Sequence, residues 1–147
     1  MIIPLRKQAP DEHQAAPLRY CIVWGTEGMS ISQTRHAARI LLARAGHHPS
    51  HTVSQDAQIV VSELVTNALR HAPGPGGLLL EVTEDGRLRI TVRDSSPDRP
   101  VLLAPDRHRV GGHGLHLVAR LCTRFDTRPT RDGKQVIAEL ALRDPAR

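Results

Sequence analysis

The stretch VVSELVTNALRHA, residues 60 to 72, sets an acid and an amide four positions apart, Glu63 and Asn67, in an otherwise apolar helical pattern. At about 100° per residue, Ala57, Val61, Leu64, Val65, Ala68, Leu69 and Ala72 fill one broad arc. Glu63, Thr66, Asn67 and Arg70 share the opposite arc, so the acid and the amide stand side by side on one polar edge. An exposed helix face with an incidental pair has the same spacing, and the pair gains meaning only from residues further along the chain. Downstream, TVRDSSPDRP puts Asp94 at the end of a predicted strand, where a carboxylate can accept a hydrogen bond from an exocyclic amine; an Asp before Ser and Pro is also an ordinary turn former. Further on, VGGHGLHLVARL runs Gly111, Gly112 and Gly114 into an apolar helix. Unpaired amides and the positive end of a helix dipole at such a start favour phosphate.

The elements that must position these groups can be read from the pattern. Residues 1 to 17 have no period and read as an arm before the first strand, LRYCIVW, residues 18 to 24. Ser30 or Ser32 can cap a helix through TRHAARILLARAG that stops at Gly46. A loop containing His47, His48 and His51 leads into a long helix predicted from about Gln55 to Ala72. The three histidines lack a carboxylate or cysteine at ligand spacing, and a solvated loop is the preferred reading. LLLEVTE and RLRITVR, joined through Asp85 and Gly86, form a hairpin. A loop over residues 95 to 113, a short helix from Gly114 and a final hairpin turned at RDGK complete the chain, with a tail from 143 to 147. The order strand, helix, helix, hairpin, loop, helix, hairpin predicts an α+β sandwich: a mostly antiparallel mixed sheet with helices on one face, in one domain over residues 18–142.

Composition narrows the function classes. The 147 residues fit one core, and with aromatics at only 2 % that core must be Leu, Val, Ile and Ala. The net charge of +5 is scattered rather than gathered in a tail, and Tyr20, Trp24 and Phe125 do not form a stacking platform, which argues against direct nucleic-acid binding. Cys21 and Cys122 are too few and too distant for a disulfide framework or a zinc motif and read as reduced, mostly buried thiols. No apolar run is long enough to span a membrane and the N-terminus lacks a signal-peptide core, so a cytoplasmic protein is expected.

Taken in order, the helix with ExxxN, the hairpin, the strand-end Asp, the loop and the glycine-rich helix start resemble the GHKL ATP-binding superfamily. The likeness is strongest to the anti-sigma-factor serine/threonine kinases and the related small ATP-binding regulators of actinomycetes, and covers roughly residues 18 to 142. VSELVTNALRHA resembles the family's N box, VRDSSPDRP its G1 box, and GGHGLHLVARL its G2 box and ATP lid. The resemblance implies a Bergerat-type two-layer sandwich that binds ATP and Mg2+. By the same likeness, Glu63 would activate the attacking hydroxyl, Asn67 would coordinate magnesium and His71 would lie near the phosphates. Asp94 would meet the adenine amine, and Gly112, Gly114 and Leu115 would present amides to the phosphates. Gly111 would lend mobility, and Arg107 or Arg109 would reach the terminal phosphate.

Four positions depart from the family pattern: Ser96 stands where the G1 box often has Gly, Phe125 and Asp126 where relatives often have Trp and Gly, and Gln135 where the last hairpin usually has an adenine-side Thr. The implied partners are a sigma factor and an anti-sigma antagonist, with a homodimer through the sheet also common in the family. Two function classes remain: a kinase acting on the antagonist, or a non-catalytic ATP-binding adaptor. A histidine-kinase catalytic fragment ranks below both, because the chain has no dimerisation helix pair.

Overall fold

A computed structural model of the protein describes residues 18–96 and 114–142. The arm expected over residues 1 to 17, the loop containing Arg107, Arg109, Gly111 and Gly112, and the tail from 143 lie outside the described residues. Within them the order is β1 (Arg19–Trp24), α1 (Ile31–Arg44), α2 (Thr52–His71), β2 (Gly76–Val82), β3 (Arg87–Asp94), α3 (Gly114–Leu121), β4 (Arg124–Thr130) and β5 (Gly133–Ala141).

Local chemistry accounts for the helix ends. Ser30 has extended backbone, and its hydroxyl accepts the Gln33 amide at 3.4 Å, which satisfies one open donor at the start of α1. Gly46, at φ +94°, takes the left-handed conformation that ends this helix. α2 begins at Thr52, earlier than the sequence period predicts. His51 caps it through backbone alone, and Val53 already packs against the core, so the apolar face starts a turn before Ala57.

The sheet order is β1-β2-β3-β5-β4, and each of its four pairings is antiparallel. The expected α+β sandwich is therefore present, with β5 inserted between β3 and its own hairpin partner β4. One face of the sheet carries Leu78, Leu80, Leu88, Ile90, Val92, Val136, Ala138 and Leu140, all buried. Leu41 and Leu42 of α1, Val60, Val61, Leu64 and Val65 of α2, and Val118 of α3 complete the same core. Each fully buried Leu or Val contributes roughly 1.5–3 kcal/mol relative to exposure. Aliphatic side chains thus build the core, with Trp24 the one buried aromatic among the described residues, as composition required.

The opposite face holds a ladder of alternating charge. Register aligns Arg19, Glu81, Arg89, Glu139 and Arg124 across all five strands. Arg19 meets Glu81 at 2.6 Å, and Arg89 meets Glu139 at 2.8 Å. The hydrogen bond that Arg89 donates to Glu139 raises the Arg89 pKa above its usual value. Glu139 also faces Arg87 at 3.5 Å and Arg124 at 3.8 Å, and it is buried to 4 % exposure under them. Cys21 lies exposed on this strand rather than buried as expected, because alternation along the edge strand β1 turns it away from Ile22 and Trp24. Cys122 is half-buried, and burial pushes its thiol up to about 12.

Candidate functional site

α2 presents Glu63 and Asn67 half-buried on the edge of the helix that does not enter the core. Among the described residues neither side chain has a hydrogen-bond or ion-pair partner. The start of α3 lies directly over Glu63: a Cβ built on Gly114 would collide with the Glu63 carboxylate, and the Glu63 Cγ would be 3.2 Å away. Glycine at 114 is thus what lets this helix start approach the carboxylate. An acid near the positive end of a helix is favourable by roughly 0.3–1 kcal/mol. Leu115 is 7 % exposed and joins the core with Val118, which anchors the first turn of α3 at that height above α2.

The other half of the site is the end of β3. Register places Asp94 opposite Lys134 on β5, one step beyond the Val92 and Val136 pair, so both point to the helix-covered side. Lys134 Nζ donates to Asp94 Oδ1 at 3.1 Å and lies 3.0 Å from Oδ2. It also donates to the Ser96 carbonyl at 3.3 Å, while the Ser96 amide donates to Asp94 Oδ1 at 2.9 Å. The two charged side chains are 3 % and 4 % exposed, and burial of that degree is sustained because each charge is paired and hydrogen-bonded.

Close backbone packing makes this arrangement possible. A Cβ at Gly133 would run into the Asp94 carbonyl oxygen and stand 2.8 Å from Ser95 Cα. A Cβ at Gly76 would come within 2.7 Å of the Arg93 carbonyl and of the Trp24 ring. Ser95 donates its hydroxyl to the Pro75 carbonyl at 2.6 Å, tying the loop after α2 to the end of β3. The segment leading into β2, the end of β3 and the beginning of β5 therefore meet at one end of the sheet.

The residues singled out from sequence divide accordingly. Gly114 meets Glu63 where α3 lies over α2, Asn67 follows one turn along the same edge of α2, Leu115 turns into the core, and Asp94 and Ser96 stand together at the end of β3. Ser96 needs no positive φ, since every positive-φ residue among those described is a glycine. His71 is the exposed last residue of α2. Gly111 and Gly112 lie outside the described residues. Gln135 is not brought to this group. Its register partners are Arg93 and Arg128, which places it on the charge-ladder face, and strand alternation turns Lys134 inward in its place.

Sequence reading missed Lys134, Gly133, Gly76 and His116. One signal was available for Lys134: it is one of two lysines against eighteen arginines. The Nε2 atom of His116, in α3, is buried without a hydrogen-bond partner. In the histidine loop, the Ser50 amide donates to His48 Nδ1 at 3.1 Å, an ordinary turn contact.

The donor chemistry can be compared with what a nucleotide and its metal require. No group of three or more His, Cys, Asp or Glu side chains that could hold a metal exists among the described residues. Magnesium does not need such a cage: it commonly takes one or two protein oxygens and completes its shell with water and substrate phosphates. A half-buried, unengaged Asn67 beside Glu63 fits that demand. No helix among the described residues is long and apolar enough to cross a membrane.

No curated protein matches this chain. A family model does, described as the histidine kinase-like ATPase domain, and the match runs over residues 26–140, from before α1 into β5. With that match across most of its length and with the two-layer sandwich that supports it, the chain belongs to the histidine kinase-like ATPase domain family.

Proposed function

We propose that the protein is an ATP-binding anti-sigma regulatory factor with serine/threonine protein kinase activity toward an anti-sigma antagonist. Family membership implies ATP binding and a regulatory role. The observation that supports the finer reading is the pairing of an unengaged Glu63 and Asn67 on one edge of α2, with the start of α3 directly over the acid. In this reading Asn67 offers its amide oxygen to Mg2+, which when bound would neutralise charge on the phosphates. Glu63 orients the acceptor hydroxyl and takes its proton. Asp94 accepts from the adenine amine, and the amides of Gly114 and Leu115 face phosphate at the positive end of α3.

The test is a pair of variants with two readouts. Glu63→Ala retains Mg-ATP binding by calorimetry and loses phosphoryl transfer to a cognate antagonist identified by pulldown. Asn67→Ala loses the magnesium-dependent part of binding. Equal transfer by wild type and Glu63→Ala would sink the kinase role.

A second reading, a nucleotide-gated adaptor without useful catalysis, is favoured by the departures from the family pattern at Ser96 and Gln135. It is separated from the first by Mg-ATP binding without transfer of label to any antagonist captured from the native cell.

A further inference from the structure

We propose that the outer edge of β1 receives an extended acidic peptide of a partner protein, which adds a further strand to the sheet and seats apolar side chains in the groove between β1 and α1. The inference goes beyond the ATP-binding reading and does not depend on it.

The backbone of β1 is set up for strand addition. It stands at one end of the sheet order, and no strand among the described residues pairs with its outer edge. The Val82 amide donates to the Leu18 carbonyl at 2.9 Å, so in the antiparallel ladder Leu18, Tyr20, Ile22 and Trp24 turn their backbone groups toward β2. The amides and carbonyls of Arg19, Cys21 and Val23 then face outward. Natural sheets commonly blunt such an edge with proline, lysine or a covering segment. β4, at the far edge, carries Pro129, whereas RYCIVW has neither proline nor lysine. Val23 is 74 % exposed and Tyr20 41 % exposed, which leaves an apolar, hydrogen-bonding edge of the kind that peptide addition uses.

Side-chain positions specify the occupant. On one face the charges alternate Arg19, Glu81, Arg89, Glu139 and Arg124, and the series reaches the open edge of β1 on a cation. The Arg19 side chain is 49 % exposed and spends only Nε and Nη2 on Glu81, so an acid set opposite it on an added strand continues the alternation. Tyr20 and Ile22 turn to the other face, where with Ala37, Ile40 and Leu41 of α1 they wall a groove of about 420 Å³. Ligand pockets span about 300–1,000 Å³, and the residues opposite Tyr20 and Ile22 on the added strand enter this one, which calls for apolar side chains there. No acid is among the described residues that line the groove, and α1 carries Arg35, Arg39 and Arg44 without an acid along its length. A second copy of β1 fits less well, because RYCIVW has no acid to set opposite Arg19. The segment that fits alternates acids with aliphatic residues.

The probe is a fluorescein-labelled synthetic peptide that alternates glutamate with leucine, titrated with the full chain by fluorescence anisotropy. Saturable binding is expected, about fivefold tighter than for the counterpart with glutamine in place of glutamate. Arg19→Gln brings the two peptides within about twofold of each other, and Ile40→Asp weakens both. In antiparallel pairing the glutamate amides face β1 and the leucine amides face away. Peptide N-methylated at the glutamates is expected to bind at least about tenfold more weakly, while N-methylation at the leucines changes affinity by less than about threefold. Cys21→Pro removes the central outward amide and repeats the loss from the protein side, with Mg-ATP binding unchanged, since proline is tolerated where an edge amide faces solvent.

No binding by wild type, equal binding of the glutamate and glutamine peptides, or equal loss from both methylated forms overturns the proposal. Should Cys21→Pro not fold, the methylated peptides decide, because they leave the protein untouched. Binding that appears only after removal of residues 1–17 assigns the edge to the chain's own N-terminal segment. A dimer in sedimentation that Cys21→Pro dissolves and the peptide does not displace assigns it to a second copy. Either result overturns the acidic partner peptide as the occupant.

Discussion

Replacing Gly133 by alanine adds one methyl group at the start of β5, where the chain has backbone on the other side. The new Cβ would meet the Asp94 carbonyl oxygen and carbon and Ser95 Cα, the last two at 2.9 and 2.8 Å. Carbon atoms rest at about 3.5–4.0 Å, so β3 and β5 must separate locally by at least about half an ångström. None of the obstructing atoms belongs to a flexible side chain, and strain of this kind costs about 1–3 kcal/mol. The same displacement stretches the Lys134 to Asp94 contacts from 3.0 and 3.1 Å toward the limit of hydrogen bonding. Complete rupture of a buried pair costs about 3–5 kcal/mol, and partial loss adds a share of that. A total near 3 kcal/mol lowers Tm by roughly 6–12 °C in a chain of this size. Thermal and urea unfolding measure it, with Gly46→Ala as the comparison. Gly46 has nothing within 4 Å of its added Cβ and a φ of +94°, so its substitution carries only the dihedral penalty of about 1–2 kcal/mol. Gly133→Ala melting within about 2 °C of wild type, or no lower than Gly46→Ala, would refute the claim that backbone approach at Asp94 demands glycine.

Other substitutions probe separate parts of the structure. His116→Leu removes a buried ring nitrogen that has no partner and is expected to raise stability by about 1 kcal/mol, read as a higher urea midpoint with unchanged slope. Glu139→Ala leaves Arg87, Arg89 and Arg124 facing one another without their shared carboxylate; with the arginines themselves partly exposed, a loss of about 1–3 kcal/mol in unfolding free energy is expected. At pH 8, iodoacetamide is expected to modify Cys21 alone in the folded protein, since Cys21 is exposed while burial holds Cys122 protonated up to about 12. The same raised value leaves stability intact below the free-thiol pKa of 9.0 and erodes it above, because only the unfolded chain then releases that proton.

Much of this protein is written in local pattern. The 3.6-residue period separated the polar edge of Glu63 and Asn67 from the core side of α2, and a serine cap and a left-handed glycine bounded α1. Turn residues fixed both hairpins, and Asp94 and Gly114 stand at the strand end and helix start that their neighbours predicted. These are contacts between residues near in sequence, whose geometry is set by the chain's own dihedrals. The inward choice of Lys134 over Gln135 is of another kind. Alternation defines two faces of a strand but does not say which is inner, and in β5 both faces are largely covered: Ile137 and Glu139 are buried on one side, Val136, Ala138 and Leu140 on the other. The signal that would have distinguished them is erased by β4 and β3 flanking the strand and by three arginines lying over Glu139. Only the register of β5 against β3 brings Lys134 to Asp94, forty residues away, and only the approach of the two backbones there makes Gly133 necessary. Long-range pairing decides such things because it depends on which strand becomes the neighbour, a property of the packed sheet rather than of any segment within it.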